Sequence, residues 1–164
     1  MKVECIVVSD TRFGSGGFTL IELMVGIAVA GVLLALAVPS FQNLTANNAL
    51  RNSSADLVTA INTARAQAVN LRVDVVLEET GSSWTDGWRV KYGAGTTETD
   101  QTFTPSGGVT VTQTSGSGAL TFTPSGMMSA GATFEICDDR TNETGRQIKV
   151  GLFGTVENTA ITCS

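Results

Sequence analysis

Gly17-Phe18-Thr19-Leu20-Ile21-Glu22-Leu23-Met24-Val25-Gly26-Ile27, running on through small and apolar residues to Val38, is the stretch that decides the fold. The 21 residues from Phe18 to Val38 carry one charge, Glu22. As a helix rising 1.5 Å per residue this is about 32 Å, enough to cross the ~30 Å hydrocarbon core of a bilayer. A carboxylate in such a helix costs roughly 2.5–3.5 kcal/mol at mid-depth, and less near the end, where Glu22 lies. A charge kept there asks for a partner, or it snorkels to the membrane surface. A secretory signal peptide is a plainer reading of a basic start and an apolar run, with Ala35-Leu36-Ala37 as the cleavage site. That reading leaves Glu22 and the Gly17-Phe18 junction unexplained. A simple bitopic anchor is the other alternative. Lys2 and Arg12 precede the helix and Arg51 is the nearest positive charge after it, which favours a cytoplasmic N-terminus.

Beyond Pro39 the helical pattern continues in a different character. Leu50, Leu57, Ile61, Ala64, Ala68 and Leu71 recur as one apolar stripe, while Asn47, Asn52, Asp56, Thr59, Asn62 and Arg65 line the other side. The spacing predicts one helix of about 50 residues, bent or locally melted at Pro39. Its alanine-rich seam predicts close packing against a sheet. From residue 72 the period changes to two. Strands are expected over Arg72 to Glu78, around Trp88, Val90 and Tyr92, at Val109 and Val111, and at Leu120 and Phe122. Thr133 to Cys137 and Arg146 to Leu152 form a late pair around a polar Thr141–Gly145 turn, and Gly154 leads into a last short strand, Thr155 to Glu157. Gly81-Ser82-Ser83, the polar stretch Gly93 to Asp100, Pro105–Gly108, Ser115–Gly118 and Pro124–Gly126 read as turns or loops. The fold class is α+β: a long N-terminal helix, membrane-spanning in its first half, packed on antiparallel β-sheets.

At 164 residues there is room for one compact domain besides the anchor. The net charge of −5 repels phosphate backbones and argues against general nucleic-acid affinity. The absence of histidine removes the commonest general base and metal ligand together. No nucleophile sits in a recognisable elbow. Glu78-Glu79 and Asp138-Asp139 would point to opposite faces of strands, as solvated edges rather than acid–base pairs. Trp84 and Trp88 read as core or loop packing rather than a ligand platform. No catalytic residue, cofactor or metal is expected.

The Gly17-Phe18-Thr19-Leu20-Ile21-Glu22 segment, with Pro39 downstream, resembles the N-terminus of type IV pilins and pseudopilins. The resemblance implies a leader, residues 1–17, removed after Gly17 by a prepilin peptidase that also N-methylates Phe18. It implies a transmembrane and filament-core helix over 18–38, an amphipathic continuation over 39–71, and a β-rich periplasmic domain over 72–164. Phe18 and Glu22 would then act in assembly: the Phe18 amine pairs with the Glu22 carboxylate of a neighbouring subunit or of its own chain, and Pro39 kinks the helix. Gly26 and Gly31, with Ala28, Ala30, Ala35 and Ala37, would let helices approach closely, although any membrane helix holds such residues.

The body is similar to the GspH/FimT group of minor pilins and pseudopilins. Gly87-Trp88, Leu120-Thr121-Phe122-Thr123-Pro124-Ser125-Gly126, Phe134-Glu135-Ile136-Cys137-Asp138, Gly145-Arg146-Gln147-Ile148 and Cys163 carry that likeness. What it implies is a minor pilin of a type IV pilus, in the inner membrane and then in a tip or priming complex. Its partners would be prepilin peptidase, other minor pilins and the major pilin. The alternatives are an H-type pseudopilin of type II secretion, partnered by pseudopilins, and a DNA receptor for transformation. Some FimT-like relatives take up DNA through a Gly-Arg-x-Arg motif. Gly154-Thr155-Val156-Glu157 stands at that position here, with no arginine and one acid, so DNA is not an expected partner. Arg140, Arg146 and Lys149 are too few for a basic footprint. In this scheme Cys5 leaves with the leader, while Cys137 and Cys163 face an oxidising periplasm and form a disulfide. The loop of about 27 residues would be worth roughly 3–4 kcal/mol. Two buried free thiols are the alternative, and a zinc site lacks ligands.

Overall fold

The computed structural model describes residues 17–116 and 118–163. Residues 1–16 of the expected leader, with Lys2, Cys5 and Arg12, lie outside them, as do Ser117 of the Ser115–Gly118 turn, Ser164 and the Pro39 side chain. The chain divides into two compact units between Ser40 and Phe41. One helix, α1 (Leu20–Leu71), contributes to both. It runs 52 residues and is unbroken at Pro39, so the local melting expected there is absent.

In the first unit every described residue from Gly17 to Val38 is exposed. Leu20, Leu23, Leu33, Leu34 and Leu36 are each at least 60 % exposed, a surface that water does not tolerate as a continuous sleeve. A helix apolar on all sides needs an apolar surrounding, and α1 is long and apolar enough here to cross a membrane.

In the second unit α1 buries one face. Leu50, Leu57, Ile61, Ala64 and Ala68 are buried and Leu71 is half-buried, while Asn47, Asn52, Thr59, Asn62 and Arg65 are exposed and Asp56 is half-buried. The stripe is wider than the apolar pattern shows, because Ala60, Ser53 and Ser54 are buried too. The two hydroxyls are satisfied: the Ser106 N–H donates to Ser53 Oγ at 3.0 Å, and Asn158 Nδ2 donates to Ser54 Oγ at 2.9 Å. Arg72, at φ 57, turns the chain out of the helix, and the first strand begins three residues later than its valines suggest.

Among the described residues eight antiparallel strands follow: β1 (Val75–Glu79), β2 (Trp88–Tyr92), β3 (Gln101–Phe103), β4 (Val109–Ser115), β5 (Leu120–Phe122), β6 (Ala132–Asp138), β7 (Thr144–Val150) and β8 (Val156–Thr162). They form two four-stranded sheets, ordered β3-β2-β1-β5 and β4-β6-β7-β8. Alternate residues point inward, as the period-two reading requires: Val75 and Leu77, Trp88 and Val90, Phe134 and Ile136, Ile148 and Val150. These and the buried stripe of α1 form one hydrophobic cluster. Trp84, on a short 3-10 helix (Trp84–Asp86), meets Phe134 edge-on at 4.7 Å, and Trp88 stacks on Phe103 at 6.4 Å. Both tryptophans are core residues.

Three further strands depart from the pattern reading. β3 was not expected, because Gln101-Thr102-Phe103 is too short and polar to show alternation; it forms by pairing Phe103 opposite Trp88. β7 starts at Thr144 and ends at Val150, where a turn closes through Gly151 and Gly154. β8 runs seven residues rather than three, since backbone pairing with β7 holds it while both its faces stay largely exposed.

The alanine seam sets how closely the helix meets the strands. Ala64→Leu should lower stability by roughly 1–3 kcal/mol through overpacking, seen as a lower denaturation midpoint of the full chain in detergent. An unchanged midpoint would refute close packing at this position.

Candidate functional site

The sequence-derived site residues fall into two groups. At the N-terminal end of the described chain, Thr19 starts α1. Its side-chain oxygen accepts the Glu22 N–H at 3.3 Å and its carbonyl accepts the Leu23 N–H at 3.1 Å. This is a helix N-cap, with Glu22 at the third helical position and its charge at the favourable, positive end of the helix dipole. The cap keeps Gly17 and Phe18 out of the helix. Their shared peptide bond lies in exposed, non-helical backbone, with Phe18 82 % exposed. Glu22 is exposed one turn into the helix, among apolar side chains. The signal for the cap is the Thr-x-x-Glu spacing, which the apolar run overshadows.

The second group surrounds the disulfide. Cys137 at the end of β6 and Cys163 just after β8 are bonded, with their Cα atoms 5.9 Å apart. Between their strands runs β7, and the bridge passes over Gly145. A Cβ there would meet the Ile136 carbonyl oxygen at 2.6 Å and Cys137 Sγ at 3.0 Å, with Cys163 Sγ closer still. Only glycine leaves room for the crossing.

Beside the bridge, Asp138 is not the solvated carboxylate its neighbour Asp139 suggests. Its side chain is 4 % exposed and takes two hydrogen bonds from Arg140, at 2.8 Å from Nε and 2.6 Å from Nη2. Burial pushes the Asp138 carboxyl up, but the hydrogen bonds and charge of Arg140 outweigh it and hold the group below the usual aspartate value. The same guanidinium donates to Asn47 at 2.8 Å and Asn43 at 3.4 Å on α1. Arg140 therefore ties the Cys137 corner to the helix. The sequence places Arg140 only among cations too few for a basic footprint; the Asp-x-Arg spacing is the available signal for its pairing.

Other charged groups are similarly occupied. The Arg89 guanidinium holds the Glu78 carboxyl below its usual range, with Lys91 at 3.4 Å adding to it. In the Gly154-Thr155-Val156-Glu157 stretch, Gly154 adopts φ 68 and packs against Arg65, while Glu157 is exposed on β8. Among the described residues no cluster of His, Cys, Asp or Glu is arranged to hold a metal ion.

Comparison with known proteins agrees with this geometry. The family model described as type II transport protein GspH matches residues 53–154, and the prokaryotic N-terminal methylation motif matches residues 12–38. A fimbrial protein of Pseudomonas aeruginosa is 42 % identical over 53 residues, covering 32 % of this chain and 34 % of its own. A type IV major alpha-pilin of Moraxella bovis is 34 % identical over 67 residues, 41 % and 42 % of the two chains. The chain thus spans about a third of the length of the first of these relatives and under half of the second. The crystal structure of the type IV minor pilin FimU of P. aeruginosa superposes with a TM-score of 0.61 at 21 % identity, covering 74 % of this chain and 99 % of that one. At that identity the likeness is one of fold.

Two outcomes follow from the disulfide corner. Gly145→Ala should destabilise the protein by about 1–3 kcal/mol, because the added carbon meets backbone and a covalent bridge; thermal unfolding under non-reducing conditions measures it. Asp138 has a lower pKa folded than unfolded. Its contribution is therefore fully present above about pH 4 and is lost as pH falls through the folded value. Asp138→Asn should flatten the acid limb of the stability–pH profile, and an unchanged acid limb would contradict the ion pair's role.

Proposed function

Because the chain belongs to the GspH family and shares its fold with the minor pilin FimU, we propose that it is a minor pilin of a type IV pilus that helps start filament assembly. Prepilin peptidase would cut after Gly17 and methylate Phe18, in the membrane that holds the helix, with the domain on the periplasmic side. The observation that carries this reading is the N-terminal geometry. An exposed Gly17–Phe18 bond stands just outside a capped helix, and Glu22 is one turn in on an otherwise apolar surface.

After cleavage Phe18 would bear a positive amine at the edge of an apolar core. A lone charge left buried there costs several kcal/mol, whereas pairing with Glu22 of a neighbouring subunit largely offsets that cost. Pairing also fixes axial register, since only one offset satisfies both groups. The protein would act by assembly rather than turnover, with other minor pilins and the major pilin as partners. A second reading, an H-type pseudopilin of type II secretion, has the wording of the family's description behind it and is not the one favoured. Loss of pili versus loss of secretion on deletion separates the two. DNA capture is disfavoured, because Arg140 is committed to Asp138 and the Gly154 turn carries an acid downstream.

Intact mass and N-terminal sequencing of the membrane-extracted protein test the proposal. A chain beginning at N-methyl-Phe18, two hydrogens light for one disulfide, is the expected result; a start at Val38 would mean signal-peptide processing and overturn it. In the Glu22→Ala variant cleavage should persist while methylation or assembly falls. Normal filament incorporation of that variant would remove the pairing argument.

A further inference from the structure

Past Leu44, among the described residues, large apolar side chains are exposed at four positions: Val69, Met127, Leu152 and Phe153, from 42 % at Met127 to 64 % at Phe153. They come from three segments that meet at the last turns of α1. Leu152 and Phe153 are the central residues of the turn between β7 and β8, where the Gly154 N–H donates to the Gly151 carbonyl at 2.8 Å. Met127 follows the turn after β5, where the Gly126 N–H donates to the Thr123 carbonyl at 2.8 Å. The Met128 N–H donates to the Leu152 carbonyl at 2.8 Å and joins the two turns. Both are seated on α1: Arg65 Nε donates to the Gly126 carbonyl, and a Cβ on Gly126 would lie 3.1 Å from Val69 Cγ2.

The fold does not ask for these side chains at the tip. Turn tips face water and are ordinarily Gly, Pro, Asn, Asp or Ser. Pro124-Ser125 and Thr141-Asn142 keep to that pattern at other turns of the domain. Between β7 and β8 the conformational demand falls on Gly154, at φ 68, and Leu152 and Phe153 give little burial in return. Two large apolar residues at a hairpin tip are therefore explained by contact with another molecule rather than by the chain's own packing.

Size decides the kind of partner. Four side chains, each about half exposed, offer roughly a few hundred Å² of apolar surface, the range in which a monomer's largest patch is often functional. A partner captured from solution needs about 800 Å² on each side. The patch is too small to hold a free protein or a stand-alone dimer. It suffices for a neighbour already held alongside by its own membrane helix, because such tethering raises the effective concentration to about the millimolar range. We propose that the Leu152–Phe153 turn, with Met127 and Val69, is the surface on which this domain meets the domain of a neighbouring subunit anchored through an apolar N-terminal helix of its own. The inference rests on the assembly reading above, in which subunits share one membrane and then one filament; it holds equally for a minor pilin and a pseudopilin.

Photo-cross-linking of the full chain in membranes of the organism that makes it tests this. Phe153→Cys carrying a short benzophenone label should link to a second protein about tenfold more than Thr102→Cys, labelled the same way at an exposed position of β3. The linked protein should itself begin with an N-methylated residue followed by an apolar run. The double variant Leu152→Ser, Phe153→Ser should keep the melting temperature of the full chain in detergent and recover about tenfold less of that protein with it. Equal linking at 102 and 153, links only to lipid, to a soluble protein or between positions 153 of two copies, or no link at all would each overturn the proposal. So would a lower melting temperature of the serine variant, which would make the pair part of the fold. N-terminal sequencing of the same sample keeps the two claims apart. N-methyl-Phe18 without the link removes this inference alone, whereas a different N-terminus removes the reading beneath it.

Discussion

Burial of the Leu50–Ala68 stripe of α1 holds two separate four-stranded sheets in a single core, because neither sheet closes on itself and both present an apolar face to the same cluster. Each buried aliphatic or aromatic side chain contributes roughly 1.5–3 kcal/mol, and the cluster draws them from α1, from both sheets and from the 3-10 helix. The helix supplies small residues where the strands supply large ones. Ala60, Ala64 and Ala68 share the cluster with Trp88, Phe122 and Phe134. That division fixes the spacing of the layers, and the register of the strands follows, since a one-residue slip would turn Val75, Leu77, Phe134 and Ile136 outward.

Apolar burial does not by itself choose a rotational setting for the helix; polar contacts do. Ser53 receives the Ser106 N–H, Ser54 receives Asn158 of β8, Arg65 reaches the Gly126 carbonyl at 3.2 Å, and Asn43 and Asn47 receive Arg140. These contacts come from four different segments of the β-rich part. Turning the helix would strand the buried serines without partners, at the cost of unsatisfied polar groups. The disulfide and the Asp138–Arg140 pair add their constraint at one corner, where the C-terminal strand would otherwise be held to the sheet by β7 alone.

The elements that were legible in the sequence are those whose burial is one-sided. α1 beyond Leu50 announces itself because apolar residues return at helical spacing, and β1, β2, β4, β5 and β6 because alternate residues are buried. β3 and the length of β8 were hidden for the same physical reason: backbone pairing rather than side-chain burial holds them, and backbone pairing leaves no mark on composition. The Arg140–Asp138 contact was hidden because a charge beside a turn looks the same whether it is solvated or enclosed. At the N-terminus the exposed apolar sleeve and the position of Glu22 were legible. The role of Thr19 as cap, which keeps the Gly17–Phe18 bond out of the helix, is written in the Thr-x-x-Glu spacing but overshadowed by the apolar run that follows it.

The two halves of α1 obey opposite rules, and this bears on how an assembling subunit would work. Up to Val38 the helix is apolar and exposed, and on the proposed reading it would exchange one apolar surrounding, a bilayer, for another, the helices of neighbouring subunits, at little net cost. On the proposed reading Glu22 would be the exception and would make the exchange selective, since a charge tolerated near a membrane surface becomes expensive inside a filament unless a cation meets it. Beyond Leu50 the helix is committed: its stripe is buried, and its serines, asparagines and Arg65 are bonded to the body of the domain. A pull along α1 would therefore load many contacts in the domain in parallel while opposing little in the apolar segment. On the proposed reading that asymmetry is what an extracted subunit requires, a segment that leaves its membrane readily and a domain that stays on its helix when it does.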